Sequence, residues 1–93
     1  MKIIVSSTAL KRVLREAIQK LPRSIYTFRF EDKTLHIHCY QLPIETPQKE
    51  AVEYWFSRKQ IMRLISVLML LQEQPISLGF GDDDWITITH ASI

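Results

Sequence analysis

The chain contains two segments that align with each other at an offset of 51 residues. One is VSSTALKRVL, which begins at Val5, and the other is FSRKQIMRLI, which begins at Phe56. The same shift places EDKTLHIH over DDDWITIT. The aligned pairs include Ser6 with Ser57, Leu10 with Ile61 and Arg12 with Arg63. A unit used twice must form the same elements in the same order, so we predict two repeats, residues 1–40 and 51–91.

The first repeat begins with a strand and a helix. The β-branched run Lys2–Val5 predicts a strand. From Thr8 to Leu21 the apolar residues recur at helical spacing along one stripe. Ser6 or Ser7 can cap this helix through its hydroxyl oxygen. Pro22 ends the helix, because proline has no amide hydrogen to donate.

Two alternating segments then predict a β-hairpin. Ser24–Phe30 places three aromatic rings on one side, and Leu35–Tyr40 alternates in the same way. The polar turn Glu31–Lys33 separates them. Residues 41–50 contain Pro43 and Pro47 and predict a connector between the repeats, with room for a short edge strand.

The second repeat predicts the same order of elements. Residues 51–56 form a strand, and Ser57 with Gln60 forms a capping box at the start of a helix. Residues 76–80 and 85–89 form a second hairpin, whose turn contains Gly81 and the acidic run 82–84. With 93 residues the chain forms one domain. We predict a two-layer α+β fold, with two helices on one face of a mostly antiparallel sheet.

The duplicated strand–helix–strand–strand unit resembles the domain of DNA sliding clamps, the processivity rings of replicative polymerases. The opening MKIIVSSTALKRVLREAIQK is similar to the start of a domain in the bacterial clamp subunit, and FSRKQIMRLI has the same character. The resemblance implies a ring of several such domains, whose helices line the hole and face the DNA backbone. Clamp units carry one more strand per repeat, which only residues 41–49 or 91–93 could supply here.

Basic residues on the two helices are the candidate nucleic-acid contacts. Those of the first helix fall opposite its apolar stripe, and the second helix keeps fewer of them. The candidates are Lys11, Arg12, Arg15, Lys20, Arg58, Lys59 and Arg63. Contacts of such residues with phosphates are independent of sequence and sensitive to salt. A lysine- and arginine-rich helix face is also common on proteins that bind no nucleic acid, and the net charge of +2 is small.

The second helix is apolar on nearly all sides. Four residues lie off its inward stripe, namely Met62, Val67, Leu70 and Leu71. In so short a chain an apolar surface of this kind predicts an oligomer interface. The alternative is that the connector folds over it.

Other chemistry is weakly supported. His36 and His38 share a strand face with the predicted positions of Thr87 and Thr89, a pattern typical of a solvated sheet. Two histidines with His90 could bind a metal, and the acidic run 82–84 could bind a divalent cation, but a hairpin turn explains that run. We therefore predict no metal, no cofactor and no catalytic residues.

The sequence predicts a non-enzymatic clamp-like domain that self-associates and binds DNA non-specifically or a replication partner. The alternative is a protein-interaction or scaffold module without DNA binding. The single cysteine, Cys39, forms no internal disulfide, and the opening MKIIVSS is too short an apolar run for a signal peptide. We expect a cytoplasmic protein with no membrane association.

Overall fold

The computed structural model describes residues 2–80 and 86–90 and has an α+β fold with two helices and antiparallel strands, which confirms the predicted fold class. The elements follow one another in the order β1 (Lys2–Ser6), α1 (Ser7–Lys20), β2 (Ile25–Ile37), β3 (Tyr40–Ser57), α2 (Arg58–Met69), β4 (Pro75–Phe80) and β5 (Ile86–His90).

Both helices begin at a serine cap. The Ser6 hydroxyl accepts a hydrogen bond from the Ala9 amide at 3.3 Å. Ser57 and Gln60 form the predicted capping box, in which each side chain accepts from the other residue's amide, at 3.2 and 2.7 Å. The two caps are 51 residues apart, the same as the offset of the sequence alignment. Duplication of the unit itself stays a prediction.

The hydrogen-bonded strands divide into two antiparallel sheets. One sheet has the order β1–β4–β5, and the other pairs β2 with β3. β1 and β3 contact each other, which places the two sheets side by side, and α1 packs against α2. The layer of two helices and the layer of strands enclose one hydrophobic core.

Strand β2 folds back on itself near Asp32. A straight strand would separate Tyr26 from His38 by about 40 Å, since each residue advances about 3.3 Å. Their ring centroids lie only 5.7 Å apart. The reversal falls where the register of the β2–β3 pairing shifts, and Asp32 there has φ 55°. The polar segment Glu31–Lys33 therefore reverses the chain as the alternating pattern predicts.

Strand β3 follows both arms of the folded β2. Its start pairs with residues 34–37, and its end, from Val52 to Ser57, pairs with residues 25–30. The predicted connector, residues 41–50, lies within this strand, which is longer than the short edge strand for which the sequence left room. Leu42 and Ile44 are buried and alternate with exposed neighbours, which is the pattern of a half-buried strand. The prolines obscured this pattern, and an edge strand tolerates them.

Five aromatic rings join the two sheets. Phe80 at the end of β4 lies with its ring centroid 5.0 Å from that of Phe30 and 5.2 Å from that of Tyr54. Phe28 and Phe56 pack edge to face at 4.9 Å. Because these rings belong to both sheets, their burial holds the strand layer together as a single core.

The first residue of each helix bonds to the segment that follows the other helix. The Ser7 amide donates to the Gln74 carbonyl, and its hydroxyl donates to the Gln72 carbonyl, both at 3.0 Å. The Arg58 amide donates to the Ser24 carbonyl at 3.0 Å. Ser7 and Arg58 are again 51 residues apart, so the two ends of the helix layer are fastened reciprocally.

Tyr26 connects the end of α1 to the start of α2. Its ring is fully buried, and its hydroxyl donates to the Leu21 carbonyl at 2.5 Å. The same oxygen accepts from the Arg58 guanidinium at 2.8 Å, and the second guanidinium nitrogen donates to the Ile18 carbonyl at 3.2 Å. A basic group at the end of α1 also compensates the negative end of its dipole.

Several sequence predictions fall outside the described part of the chain. They are the acidic turn 81–84, the tail 91–93 and the side chains of Thr87, Thr89 and His90.

Removing the Tyr26 hydroxyl is expected to destabilise the fold. Tyr26→Phe leaves the Leu21 carbonyl and the Arg58 guanidinium without this partner, which costs about 1–3 kcal/mol of unfolding free energy. Urea denaturation measures the change. Tyr40→Phe, which removes a hydroxyl from a partly buried ring, should change stability by less than about 0.5 kcal/mol. Equal losses in the two variants would contradict the assigned role of Tyr26.

Candidate nucleic-acid and protein interface

Positive charge is concentrated in the helix layer. The two helices contain seven of the twelve basic residues and one of the ten acidic residues, Glu16. The helices therefore carry a formal charge of +6, and the rest of the chain carries −4. The small net charge of the whole chain conceals this asymmetry, which creates a positive potential over one layer of the molecule.

Most of the predicted basic contacts are exposed on this layer. Lys11 is partly buried, whereas Arg12, Arg15 and Lys20 are exposed. A shallow surface depression over α1 is formed by Thr8, Lys11, Arg12, Arg15, Glu16 and Gln19. On α2, Lys59 and Arg63 are exposed.

Arg58 departs from the predicted role, because its side chain is used inside the molecule. Both ends of its guanidinium donate to groups at the end of α1, namely the Tyr26 hydroxyl and the Ile18 carbonyl. Two basic residues at the start of a helix oppose its dipole, unless an anion or another acceptor lies beside them. The internal contacts of Arg58 explain its presence without an anion.

Most of the predicted interface residues of α2 are exposed. Met62 and Val67 are about half exposed, and Leu70 is 85% exposed. The connector does not cover them, so the alternative of a covering connector fails. Leu71 is partly buried and packs against the core, which leaves it little surface for a partner. Met69 is also exposed, at 58%, and the sequence did not predict this, because Met69 belongs neither to the inward stripe nor to the four residues predicted at the interface.

The apolar surface of α2 lies on two sides of the helix. Met62, Ile65 and Ser66 face α1 and form a groove with Arg15, Ile18 and Gln19. By helical geometry, Arg63, Val67 and Leu70 lie together on the opposite flank of α2, away from α1. We call the first surface the helix groove and the second the outer flank, defined by Val67 and Leu70.

The outer face of the β2–β3 sheet carries the two histidines. His36 and His38 lie with Thr27, Arg29 and Glu53 around a shallow depression of about 350 Å³. Arg29 forms an ion pair with Glu31 at 3.1 Å, and both side chains are half exposed. Within the described residues, no group of three His, Cys, Asp or Glu side chains could hold a metal ion.

His38 lies at the hairpin turn between β2 and β3 and has φ 53°, in the left-handed region that costs a non-glycine residue energy. Its ring packs edge to face on Tyr26. Among the described residues its Nε2 is buried without a hydrogen-bond partner. Burial and the Arg23 guanidinium lower the pKa of His38 below 6.5, and a backbone hydrogen bond at Ile25 opposes this in part.

None of the helices in residues 2–80 and 86–90 is long and apolar enough to cross a membrane. No family model matches the chain, and no match was found among curated proteins or solved structures. The sliding-clamp resemblance therefore depends on the residues and the order of elements alone.

Acid is expected to destabilise the fold through His38. The unfolded chain takes up this proton near pH 6.5, and folded His38 takes it up only at lower pH. The unfolded state then binds more protons, so unfolding free energy falls as pH drops from 6.5 towards the folded pKa. Chemical denaturation at pH 7.5, 6.5 and 5.5 measures this loss.

His38→Gln should reduce that pH dependence, and His36→Gln, a change on the same sheet face, should leave it in place. A proton titration of the His38 ring followed by NMR that gave a pKa above 6.5 would contradict the prediction.

Proposed function

We propose that this chain is a non-enzymatic, clamp-like domain whose helix layer binds the phosphate backbone of duplex DNA without sequence preference. The observation that carries the proposal is the segregation of charge, +6 on the helices and −4 elsewhere. Exposed guanidinium and ammonium groups on a helix face suit phosphate oxygens. A cytoplasmic location is part of the proposal.

The composition of the helix layer favours duplex DNA over single strands. Neither α1 nor α2 contains an aromatic residue. Proteins that bind single strands stack bases on aromatic rings, and this layer offers none. The described surface also offers no Gly-rich loop for base or nucleotide recognition, and the contacts available are those of long basic side chains.

The clamp-like architecture is supported by equivalent hydrogen bonds at the starts of the two helices. The helix caps are 51 residues apart, and the first residue of each helix bonds to the segment after the other helix. The start of β3 pairs with residues 34–37, and a strand at this place is consistent with the additional strand that a clamp unit would need in the first repeat. Two helices packed together on one layer fit the resemblance as well.

Self-association through the outer flank of α2 is the second part of the proposal. Val67 and Leu70 are exposed there and leave the basic face of α1 free. Two copies that met along this flank would place their helix layers side by side. The result would be a longer basic surface for DNA. Replication proteins are the class of partner that the resemblance suggests.

A protein-interaction or scaffold module without DNA binding is the alternative. The specific observation in its favour is the apolar surface of α2. Leu70 and Met69 are exposed there, and an exposed apolar side chain contributes nothing to binding a phosphate but suits contact with another protein.

Neutralising the basic face is expected to weaken DNA binding. The triple variant Arg12→Gln, Arg15→Gln and Arg63→Gln should reduce the slope of log affinity against log salt by about 3, because each phosphate contact contributes about 0.9. Fluorescence anisotropy with a labelled duplex between 50 and 200 mM salt measures it.

The matched control removes the same charge from other surfaces, by Arg23→Gln, Arg29→Gln and Lys33→Gln. All three residues are exposed outside the helices. If both triple variants lost affinity equally, or if the parent bound no duplex at low salt, the DNA proposal would be wrong and the scaffold alternative would stand.

A charge on the outer flank is expected to prevent self-association. Leu70→Glu places a carboxylate on an apolar contact surface, and light scattering should show its mass reduced to that of a monomer. Gln19→Glu introduces the same charge on exposed α1 and should leave the parent mass unchanged. A parent protein that is monomeric at all concentrations tested would contradict this part of the proposal.

A further inference from the structure

The helix groove is lined by three apolar side chains, which we call its apolar floor, and by one basic residue, which we call its basic border. Ile18, Met62 and Ile65 supply aliphatic side chains, and Arg15 stands at its edge. Arg15 and Gln19 also border the basic depression over α1, so the two surfaces are continuous. The groove measures about 210 Å³, which is below the usual size of a small-molecule pocket and suits side chains of a larger partner.

The apolar lining of the helix groove and the positive charge around it indicate what kind of ligand would bind there. The apolar floor requires apolar side chains, and the charge of the surrounding helix layer requires acidic residues beside them. A groove between two antiparallel helices accepts a third helix, whose apolar residues at positions i, i+3, i+4 and i+7 enter it.

Other occupants fit less well. A second copy docked through the same groove would bring the Arg15 side chains of both copies into one contact, and their local repulsion opposes this arrangement. Duplex DNA satisfies the basic border but leaves the aliphatic floor exposed to water. We infer that the helix groove binds an acidic, amphipathic helical segment of another protein.

This inference deepens the protein-interaction function and connects it to the DNA-binding proposal through Arg15. The guanidinium of Arg15 belongs to both surfaces, so the acidic segment and DNA compete for it. A bound segment thereby reduces the affinity for DNA. Met62 belongs to the groove and not to the basic depression, which allows the two functions to be separated by mutation.

The probe is a synthetic helical peptide of about 18 residues with leucine at the four helical positions and glutamate at the flanking positions. Calorimetry at 50 mM salt measures its binding to the full chain. A peptide with lysine in place of every glutamate tests the charge requirement, and a scrambled glutamate peptide tests the spacing.

Met62→Ser should weaken binding of the glutamate peptide about tenfold and leave duplex DNA affinity unchanged, because it removes an apolar contact and no charge. Arg15→Gln should weaken both. Ile25→Ser removes an exposed aliphatic side chain that lines neither surface, so it is the matched control and should alter neither affinity; circular dichroism checks that each variant is folded.

The inference is overturned if the lysine and scrambled peptides bind as well as the glutamate peptide, or if Met62→Ser leaves peptide affinity unchanged. It is also overturned if Met62→Ser instead dissociates a dimer seen by light scattering, or abolishes sedimentation with phosphatidylserine vesicles. If the parent protein binds the glutamate peptide but no duplex DNA at low salt, the DNA proposal fails and this inference stands.

Discussion

The hydroxyl of Tyr26 is the contact on which the arrangement of the helix layer depends. It lies between the Leu21 carbonyl at the end of α1 and the Arg58 guanidinium at the start of α2. Because the ring itself is buried against the strand layer, the hydroxyl fixes both helices relative to the core at once. The Ser7 contacts with Gln72 and Gln74 fasten the opposite end. Buried hydrogen bonds of this kind cost most when one partner is lost.

These contacts explain why Arg58, among the basic residues of the helices, stabilises the fold, whereas the exposed ones remain available to a ligand. Arg58 compensates the carbonyl end of α1, where a positive charge is favourable. In the described structure, no such intramolecular contact is formed by the exposed residues Arg12, Arg15, Lys59 and Arg63. Glu16 is the one acidic residue in the two helices. Their common orientation follows from the inward stripe of each helix, which turns every residue opposite to it towards solvent.

The order of elements and both helix caps could be predicted from the sequence, because period and capping are local properties. The path of β3 could not, since Pro43 and Pro47 resemble a connector and the burial of Leu42 and Ile44 depends on the distant β2 arm. The role of Arg58 could not be predicted either. Its partner Tyr26 is 32 residues away in sequence, and a basic residue at the start of a helix is usually interpreted as a surface charge. Exposure of the α2 face was predictable, because the chain has too few residues to cover it.

The two helices divide the surface chemistry between them. At the 51-residue offset, Lys11, Arg15 and Gln19 of α1 correspond to Met62, Ser66 and Leu70 of α2. A layer selected for phosphate contact alone gains nothing from the aliphatic side chains, since an exposed leucine adds no favourable contact with a phosphate. The polar side of α1 therefore accounts for electrostatic attraction, and the apolar side of α2 accounts for a contact that excludes water. A partner that used both would need negative charge and apolar surface within one short segment, which is the chemistry of an acidic amphipathic helix and not that of DNA.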